Sequence, residues 1–452
     1  MHAQHLAHLL DLTELRNIVA LEIQQSQEEG RLVADQRARF DATTDWTRQA
    51  LYELYEALIH APMDPAFPYD EPESLEGIRA ARPAQAAAVA QGAPAPTGDA
   101  LYNLMHGAWL GRCVGCVLGK PIEANWSKDQ VLRYLRLAKA EPLVDYIPRV
   151  VPQPEGYVFN VSADTSFRGA IDGAPIDDDT DYTLLGLHIL ETHGPAFAAA
   201  HVGAEWLTAL SYGHVYTAEK LAYRNLALGL KPPETATLLN PAREWIGARI
   251  RADAYGMAVP GKPELAAELA YRDGLVAHTK NGIYSGMAMA AMLAWAFVAD
   301  DPDEIVAAGL SVIPAGSRLA EAIRRVRDVA REVEDWETAY DRLMPDYATY
   351  HGVHAINNTV ALVLAVLYGK GDFTRTVGIA VSCGLDTDCN GANAGAIVGA
   401  AIGAEAIPGH WREPLHDTLR TSLSGWEPQR ISMLARRSVA VAEAFAARGD
   451  RG

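Results

Sequence analysis

The chain has 452 residues, of which 39 are Lys or Arg and 57 are Asp or Glu, giving a formal net charge of −18. This acidic balance argues against non-specific binding to nucleic acid, although local donors can still bind an anionic nucleotide. The first 17 residues contain no basic segment followed by an apolar one, so we expect neither secretion nor membrane anchoring and place the protein in the cytoplasm.

The N-terminal part predicts helices followed by a linker. From Leu9 to His60, apolar side chains recur at helical intervals among Gln, Glu and Arg. The stretch from 81 to 98 is rich in Ala, Pro and Gln and has little to bury, which is typical of a linker. We therefore divide the chain into an N-terminal extension (1–98) and a catalytic domain (99–452). We expect the extension to dock on that domain or on a second copy in a homo-oligomer, and to supply no metal ligand.

Glycines recur at every fourth residue in two segments of the catalytic domain. The two rows are Gly107, Gly111, Gly115 and Gly119, and Gly391, Gly395, Gly399 and Gly403. Each Gly costs a helix about 1 kcal/mol relative to Ala, and close approach of two backbones would compensate for that cost. A membrane span fits poorly, since Arg112 and Lys120 interrupt the first row. We predict two tightly packed core helices, the first of which delivers Glu123 to the end of the bundle.

Two acidic clusters lie about two hundred residues apart. Each directly precedes apolar residues at helical spacing, so both are predicted at helix N-termini, where the helix dipole favours negative charge. A helix cap needs one Asp, whereas neighbouring carboxylates repel one another and require a cation. Facing each other, the clusters would form an oxygen-rich pocket suited to Mg²⁺ or Mn²⁺. Their acids are Asp177, Asp178, Asp179 and Asp181, and Asp386 and Asp388.

Two other acidic motifs can be compared by spacing. The segment from Asp386 opens like an EF-hand loop, but its twelfth position is Ile397 instead of the bidentate Glu, which excludes a normal EF-hand. Asp177, Asp178 and Asp181 also fit the DDxxD pattern of helical prenyl-diphosphate enzymes. The second metal motif of those enzymes is not found, and this function stays as an alternative.

Cysteine and histidine offer further metal patterns. A zinc site of Cys113, Cys116, Cys383 and Cys389 is conceivable, but the first pair lies in the glycine-row helix, where small residues are needed anyway. His351 and His354 have ligand spacing on one helix face, although core or surface packing is the preferred interpretation of both.

Four motifs in fixed order resemble the ADP-ribosylglycohydrolase family, which includes the dinitrogenase-reductase-activating glycohydrolases. The likeness runs from about Leu101 to about Gly409, and the motifs are GAWLGRCVGCVLGKPIE, IDDDTDYTLLGL, HTKNGIYSGMAMAAMLAWAF and GLDTDCNGANAGAIVGA. The resemblance implies an all-α fold, a compact orthogonal bundle of many helices with two Mg²⁺ or Mn²⁺ ions in a central cleft. It also implies hydrolysis of the bond between ADP-ribose, or a related ribosyl group, and a protein side chain or small acceptor.

The resemblance also implies roles for individual residues. It places Glu123 and Asp179 as catalytic carboxylates and Asn281, Gly282 and Tyr284 near the substrate. Independently of the resemblance, Lys280 is a candidate local donor to an anionic nucleotide. The implied metal ligands are Asp177, Asp178, Asp179, Asp386, Asp388 and Cys389.

Two positions depart from the family pattern. Asp177 stands where the family usually has Thr, and Cys389 places a soft sulfur where a hydroxyl ligand is usual, which a hard Mg²⁺ ion would not choose. These departures leave the acceptor open. They also leave open a second function, in which the fold binds ADP-ribose or a nucleotide without cleaving it.

Overall fold

The computed structural model describes residues 9–84, 92–123, 126–160 and 162–449. Its regular structure is helical almost throughout, which confirms the all-α prediction. Within the described ranges the strands are β1 (Thr418–Leu419) and β2 (Gln429–Arg430), which pair antiparallel with Thr418 opposite Arg430. Across those same ranges, no helix has the length and apolar character needed to cross a membrane.

The first three helices of the N-terminal extension share a small core, whereas Ile78 of the fourth helix packs in the large core of the rest of the chain. Leu15, Leu51, Leu54 and Leu58 are fully buried, and Leu239 of the catalytic domain joins the same cluster. The predicted helical region is thus confirmed, while residues 85–91 of the predicted linker lie outside the described residues. The helices are α1 (Leu12–Glu28), α2 (Ala34–Ala42), α3 (Arg48–Ile59) and α4 (Leu75–Ala80).

The rest of the described chain is a layered bundle around one large apolar core. Short 3₁₀ turns, including Lys120–Ile122 and Ala163–Thr165, connect many of its helices. The helices are α5 (Gly98–Gly119), α6 (Lys128–Leu137), α7 (Asp178–His193), α8 (Ala199–Ala209), α9 (Thr217–Ala227), α10 (Glu234–Thr237), α11 (Gly247–Ile250), α12 (Asp253–Ala258), α13 (Pro263–Gly274), α14 (Lys280–Ala296), α15 (Pro302–Ser311), α16 (Arg318–Glu332), α17 (Trp336–Leu343), α18 (Ala355–Gly369), α19 (Phe373–Ser382), α20 (Thr387–Ile402), α21 (Gly409–Arg412) and α22 (Ile431–Gly449).

The two glycine rows bring α5 and α20 into backbone contact. Gly107 faces Gly399, Gly111 faces Gly395, and the helices run antiparallel until Gly119 meets Thr387. A Cβ atom at any glycine of the first row would lie within 3.0 Å of a main-chain atom of α20. The predicted close packing is therefore confirmed, and it holds the C-terminal end of α5 beside the N-terminal end of α20.

The extension docks on the catalytic domain of its own chain through buried charges. Arg243 pairs with Glu22 at 2.7 Å and with Glu29 at 2.8 Å, and all three side chains are at most 8% exposed. Arg318 makes a second such contact with Glu71 at 2.7 Å. Burying charges is costly unless they are paired. The acidic side chains of the extension therefore neutralise buried arginines of the catalytic domain.

Candidate metal centre and active site

The first acidic cluster lies where α7 begins. Asp177 is the N-cap, and its Oδ1 accepts a hydrogen bond from the Asp179 backbone N–H at 3.0 Å. Its other oxygen accepts from the Lys120 ammonium, and both side chains are buried. One carboxylate thus caps the helix, leaving Asp178 and Asp179 in the first turn. This arrangement confirms the predicted helix start.

The second acidic cluster lies where α20 begins. Asp386 occupies the N-cap position, and its backbone N–H donates to Asn358 Oδ1 at 3.2 Å. Thr387 donates from its hydroxyl to the Gly119 carbonyl at 2.8 Å, which ties this helix start to the end of α5. Asp388 follows within the first turn and is 2% exposed.

The fold brings both clusters and Glu123 into one site. Three groups of side chains each have ligand atoms within 4.8 Å of one another. They are Asp177 with Asp178 and Asp179; Asp179 with Asp388 and Cys389; and Glu123 with Asp386 and Asp388. All the predicted metal ligands thus belong to this site.

Two arginines support the buried base of the site. Arg112 rises from the glycine row of α5, binding Asp179 at 3.3 Å and Asp253 at 3.0 Å. Arg249 donates to Asn390 on α20. The Arg112 guanidinium is fully buried and contacts Asp179 Oδ1, which fixes the position of this carboxylate. The other oxygen, Oδ2, faces Cys389 in the site.

The charges of the site are far from balanced. Seven acidic side chains (Glu123, Asp177, Asp178, Asp179, Asp253, Asp386 and Asp388) lie among three basic ones (Lys120, Arg112 and Arg249), so the acids outnumber the bases by four. Burial, followed by repulsion from Asp388, Asp177 and Asp386, raises the pKa of Glu123 to about 12. Burial and neighbouring acids also raise the pKa of Asp178 and Asp386. Oxygen donors grouped in this way could hold a metal cation.

Sequence comparison decides the family. A sequence model of ADP-ribosylglycohydrolase matches residues 97–449. The chain belongs to the ADP-ribosylglycohydrolase family. It is therefore an enzyme of the glycosylhydrolase type, and ADP-ribosylated compounds are the general substrates of its family. No curated protein matches the chain in sequence.

Structure comparison supports the same fold. The chain is similar to a solved structure described as an ADP-ribosylglycohydrolase-related protein complex, with a TM-score of 0.51 and 21% sequence identity. The match covers 76% of this chain and 99% of the other. At this identity the likeness concerns the fold. All but the last two residues of the extension precede the residues that the family model matches.

The residues predicted near the substrate contact the extension. Asn281 donates from its side-chain amide to Glu71 and to Glu244, each at 2.8 Å. Tyr284 donates to the Pro72 carbonyl at 2.5 Å, and Lys280 pairs with Glu29 at 3.3 Å. A Cβ atom at Gly282 would meet the carbonyl of Arg243 at 2.5 Å. A substrate role for these residues stays a prediction.

Other predicted candidates have structural roles. Asp181 accepts hydrogen bonds from the backbone and hydroxyl of Ser422 at 3.0 and 2.6 Å, so the DDxxD pattern is divided between two environments. His354 caps α18 by accepting from the Ile356 N–H at 3.1 Å. His351 stacks on Trp245 with ring centroids 4.0 Å apart. Packing thus accounts for both histidines, and the four cysteines are free.

Several site residues were missed from the sequence. Asn160 donates to Glu123 Oε2 at 2.6 Å, and Asn358 receives both the Asp386 N–H and the Asn390 side chain. A role for Lys120 and Arg112 could have been predicted from the sequence, because a charged residue beside a row of glycines in a packed helix needs a buried partner of opposite charge. The roles of the two asparagines could not have been predicted, since Asn is common at turns and helix starts for other reasons.

Proposed function

We propose that this chain is a dimetal-dependent hydrolase that cleaves the N- or O-glycosidic bond of ADP-ribose, or a related ribosyl group, to a protein side chain or small acceptor. The observation that carries the proposal is the convergence of Glu123 with the two acid-rich helix starts. The excess of acidic over basic side chains at this site supports the binding of divalent cations. Mg²⁺ or Mn²⁺ would supply Lewis acidity there, polarising water and the ribose hydroxyls.

Two of the three groups of side chains, which share Asp388, would form the main ion positions. Asp179, Asp388 and Cys389 form one set, and Glu123, Asp386 and Asp388 form the other. Asp388 belongs to both and would be shared. Asp177 is engaged by Lys120 and by the start of α7, so it would position the neighbouring acids, and Asp178 would be a further ligand beside Asp179.

Glu123 fits the role of proton acceptor better than Asp179. Its Oε2 accepts from Asn160 at 2.6 Å, which orients the carboxylate, and the residue is only partly buried. Asp179 has no exposed side-chain surface, and its oxygens accept from Arg112 and Cys389. Bound cations would offset the repulsion from Asp388, Asp177 and Asp386 that raises the pKa of Glu123. The ionised Glu123 would then take a proton from the attacking water, while the surrounding carboxylates would stabilise the positive charge that develops at the anomeric carbon.

The test is product release by the full-length protein. It is incubated with Mg²⁺ or Mn²⁺ and with ADP-ribosyl conjugates, simpler N-ribosides and prenyl diphosphates, and products are followed by mass spectrometry. We expect release of the ribosyl group, and E123Q should lower the rate about 100-fold or more, a typical contribution of general acid–base catalysis. The exposed E76Q should not change it.

Other outcomes would refute the proposal. A ligand that binds and stays uncut would favour the ADP-ribose-binding function. Pyrophosphate release would favour the prenyl-diphosphate enzyme. Equal rates for E123Q and E76Q would reject Glu123 as the proton acceptor.

A further inference from the structure

The two candidate ion positions differ in donor chemistry. The set of Glu123, Asp386 and Asp388 offers carboxylate oxygen alone. The set of Asp179, Asp388 and Cys389 adds a thiol, and all three of its members are buried. Hard cations prefer oxygen, whereas a thiolate selects softer ones. The two candidate sites therefore differ in donor chemistry and share one carboxylate, that of Asp388.

The thiol is directed into the site by its surroundings. Cys389 lies in the first turn of α20, and its Sγ donates to Asp179 Oδ2 at 3.1 Å. Its backbone N–H donates to Asp388 Oδ1 at 2.8 Å. The sulfur thus lies next to a candidate ligand oxygen, and the glycine contact between α5 and α20 prevents the helix from turning it away.

We infer that the Asp179–Asp388–Cys389 position takes a thiophilic divalent ion such as Zn²⁺, Co²⁺ or Cd²⁺, while the Glu123–Asp386–Asp388 position takes Mg²⁺ or Mn²⁺. The inference rests on the proposed dimetal function. When the ion binds, a sulfur–metal bond forms, the S–H bond breaks and the proton is released to solvent. No oxidant or reductant is involved.

The first test uses Co²⁺ as a spectroscopic probe on the full-length protein after its metals are removed with a chelator. We expect near-ultraviolet absorption from sulfur-to-cobalt charge transfer. C389S should lose this absorption while metal analysis still finds Co²⁺ bound at the oxygen position. C113S is the matched control, because that thiol is also buried but has Arg112 and Asp417 as its charged neighbours. It should keep the absorption.

A competition measurement gives an independent readout. Loss of even an indirect partner of a metal commonly changes its affinity about 10-fold or more. We therefore expect the preference for Cd²⁺ over Mg²⁺ to fall at least about tenfold in C389S. C389S should also release one proton fewer per Cd²⁺ bound at pH 7, as followed with a pH indicator.

Three results would overturn the inference. The first is a wild-type cobalt protein without sulfur-to-cobalt absorption. The second is an absorption that C389S retains. The third is its loss in C116S only, which would assign the ligand to the other thiol near these acids. Circular dichroism of C389S and C389T verifies folding. Because these readouts are of metal binding, they stay separate from hydrolysis of any ribosyl substrate, on which the proposed function depends.

Discussion

Removing Glu71 should loosen the extension from the catalytic domain. Its Oε1 accepts from the Arg318 backbone at 3.0 Å, the Arg318 Nε at 2.9 Å and Asn281 at 2.8 Å, while its Oε2 accepts from Arg318 at 2.7 Å. Both charged side chains are 4% exposed. Breaking a buried pair costs about 3–5 kcal/mol. Since Arg318 keeps Glu244 at 2.8 Å, we expect about 3 kcal/mol for E71A, the lower end of that range.

Native-state hydrogen exchange measures this loss as the free energy of local opening. A cost of about 3 kcal/mol corresponds to roughly 100-fold faster exchange in α1–α4. The control is E191A, which removes another bidentate carboxylate from an arginine, Arg437, but at 31% and 27% exposure. It should cost no more than about 1 kcal/mol and leave α1–α4 unchanged. Equal slow exchange of α1–α4 in both variants would refute the view that buried charge pairing holds the extension.

Three further predictions concern the core, the extension and the site. G111A should lower the free energy of unfolding by about 3 kcal/mol, because the added methyl meets the main chain of Gly395. G213A should change it by about 0.5 kcal/mol or less, because the added methyl meets only Ser211 Oγ at the ordinary contact distance of 4.0 Å; chemical denaturation compares the two variants. Burial, with repulsion from Glu244 and Glu29, raises the pKa of Glu28 from 4.5 to about 7. Between these two pH values the folded protein holds a proton on Glu28 that the unfolded chain has lost, so the free energy of unfolding of the wild type falls as the pH rises from 4.5 to about 7. E28Q should therefore match wild type near pH 4.5 and exceed it by up to about 3 kcal/mol above pH 7, in unfolding curves measured across pH; a constant difference would contradict the assignment. D388N should lose at least one bound ion without unfolding, as measured by plasma emission, while the exposed D164N keeps wild-type metal content; full occupancy in D388N would count against a shared ligand.

The features predictable from the sequence are local and periodic. Acids placed directly before an apolar helical run identify the starts of α7 and α20, and glycines at every fourth residue identify two surfaces that lack side chains. The contact between those surfaces follows, because only another backbone can fill the space. Glu123 then reaches the site simply by following α5.

What escaped prediction depends on partners far apart in the chain. Lys120 and Asp177 are separated by 57 positions, and Asn281 and Glu71 by 210. No periodicity links such pairs, and a charged residue gives no sign of which opposite charge it will meet. The extension, most of which precedes the family match, supplies hydrogen-bond or ion-pair partners to Asn281, Tyr284 and Lys280. These contacts could not be predicted from the motif that contains the three residues.

The contact between α5 and α20 also sets how the site tolerates change. Where two helices touch through main chain, no rotamer exists that could shorten or lengthen the distance between them. The separation of Glu123 from Asp386 and Asp388 is therefore fixed by covalent geometry and van der Waals radii. The side chain of a residue on α20, such as Cys389, can then be substituted without moving the two helix backbones. The spacing of the carboxylates on the two helices therefore depends on backbone contact and not on any one side chain.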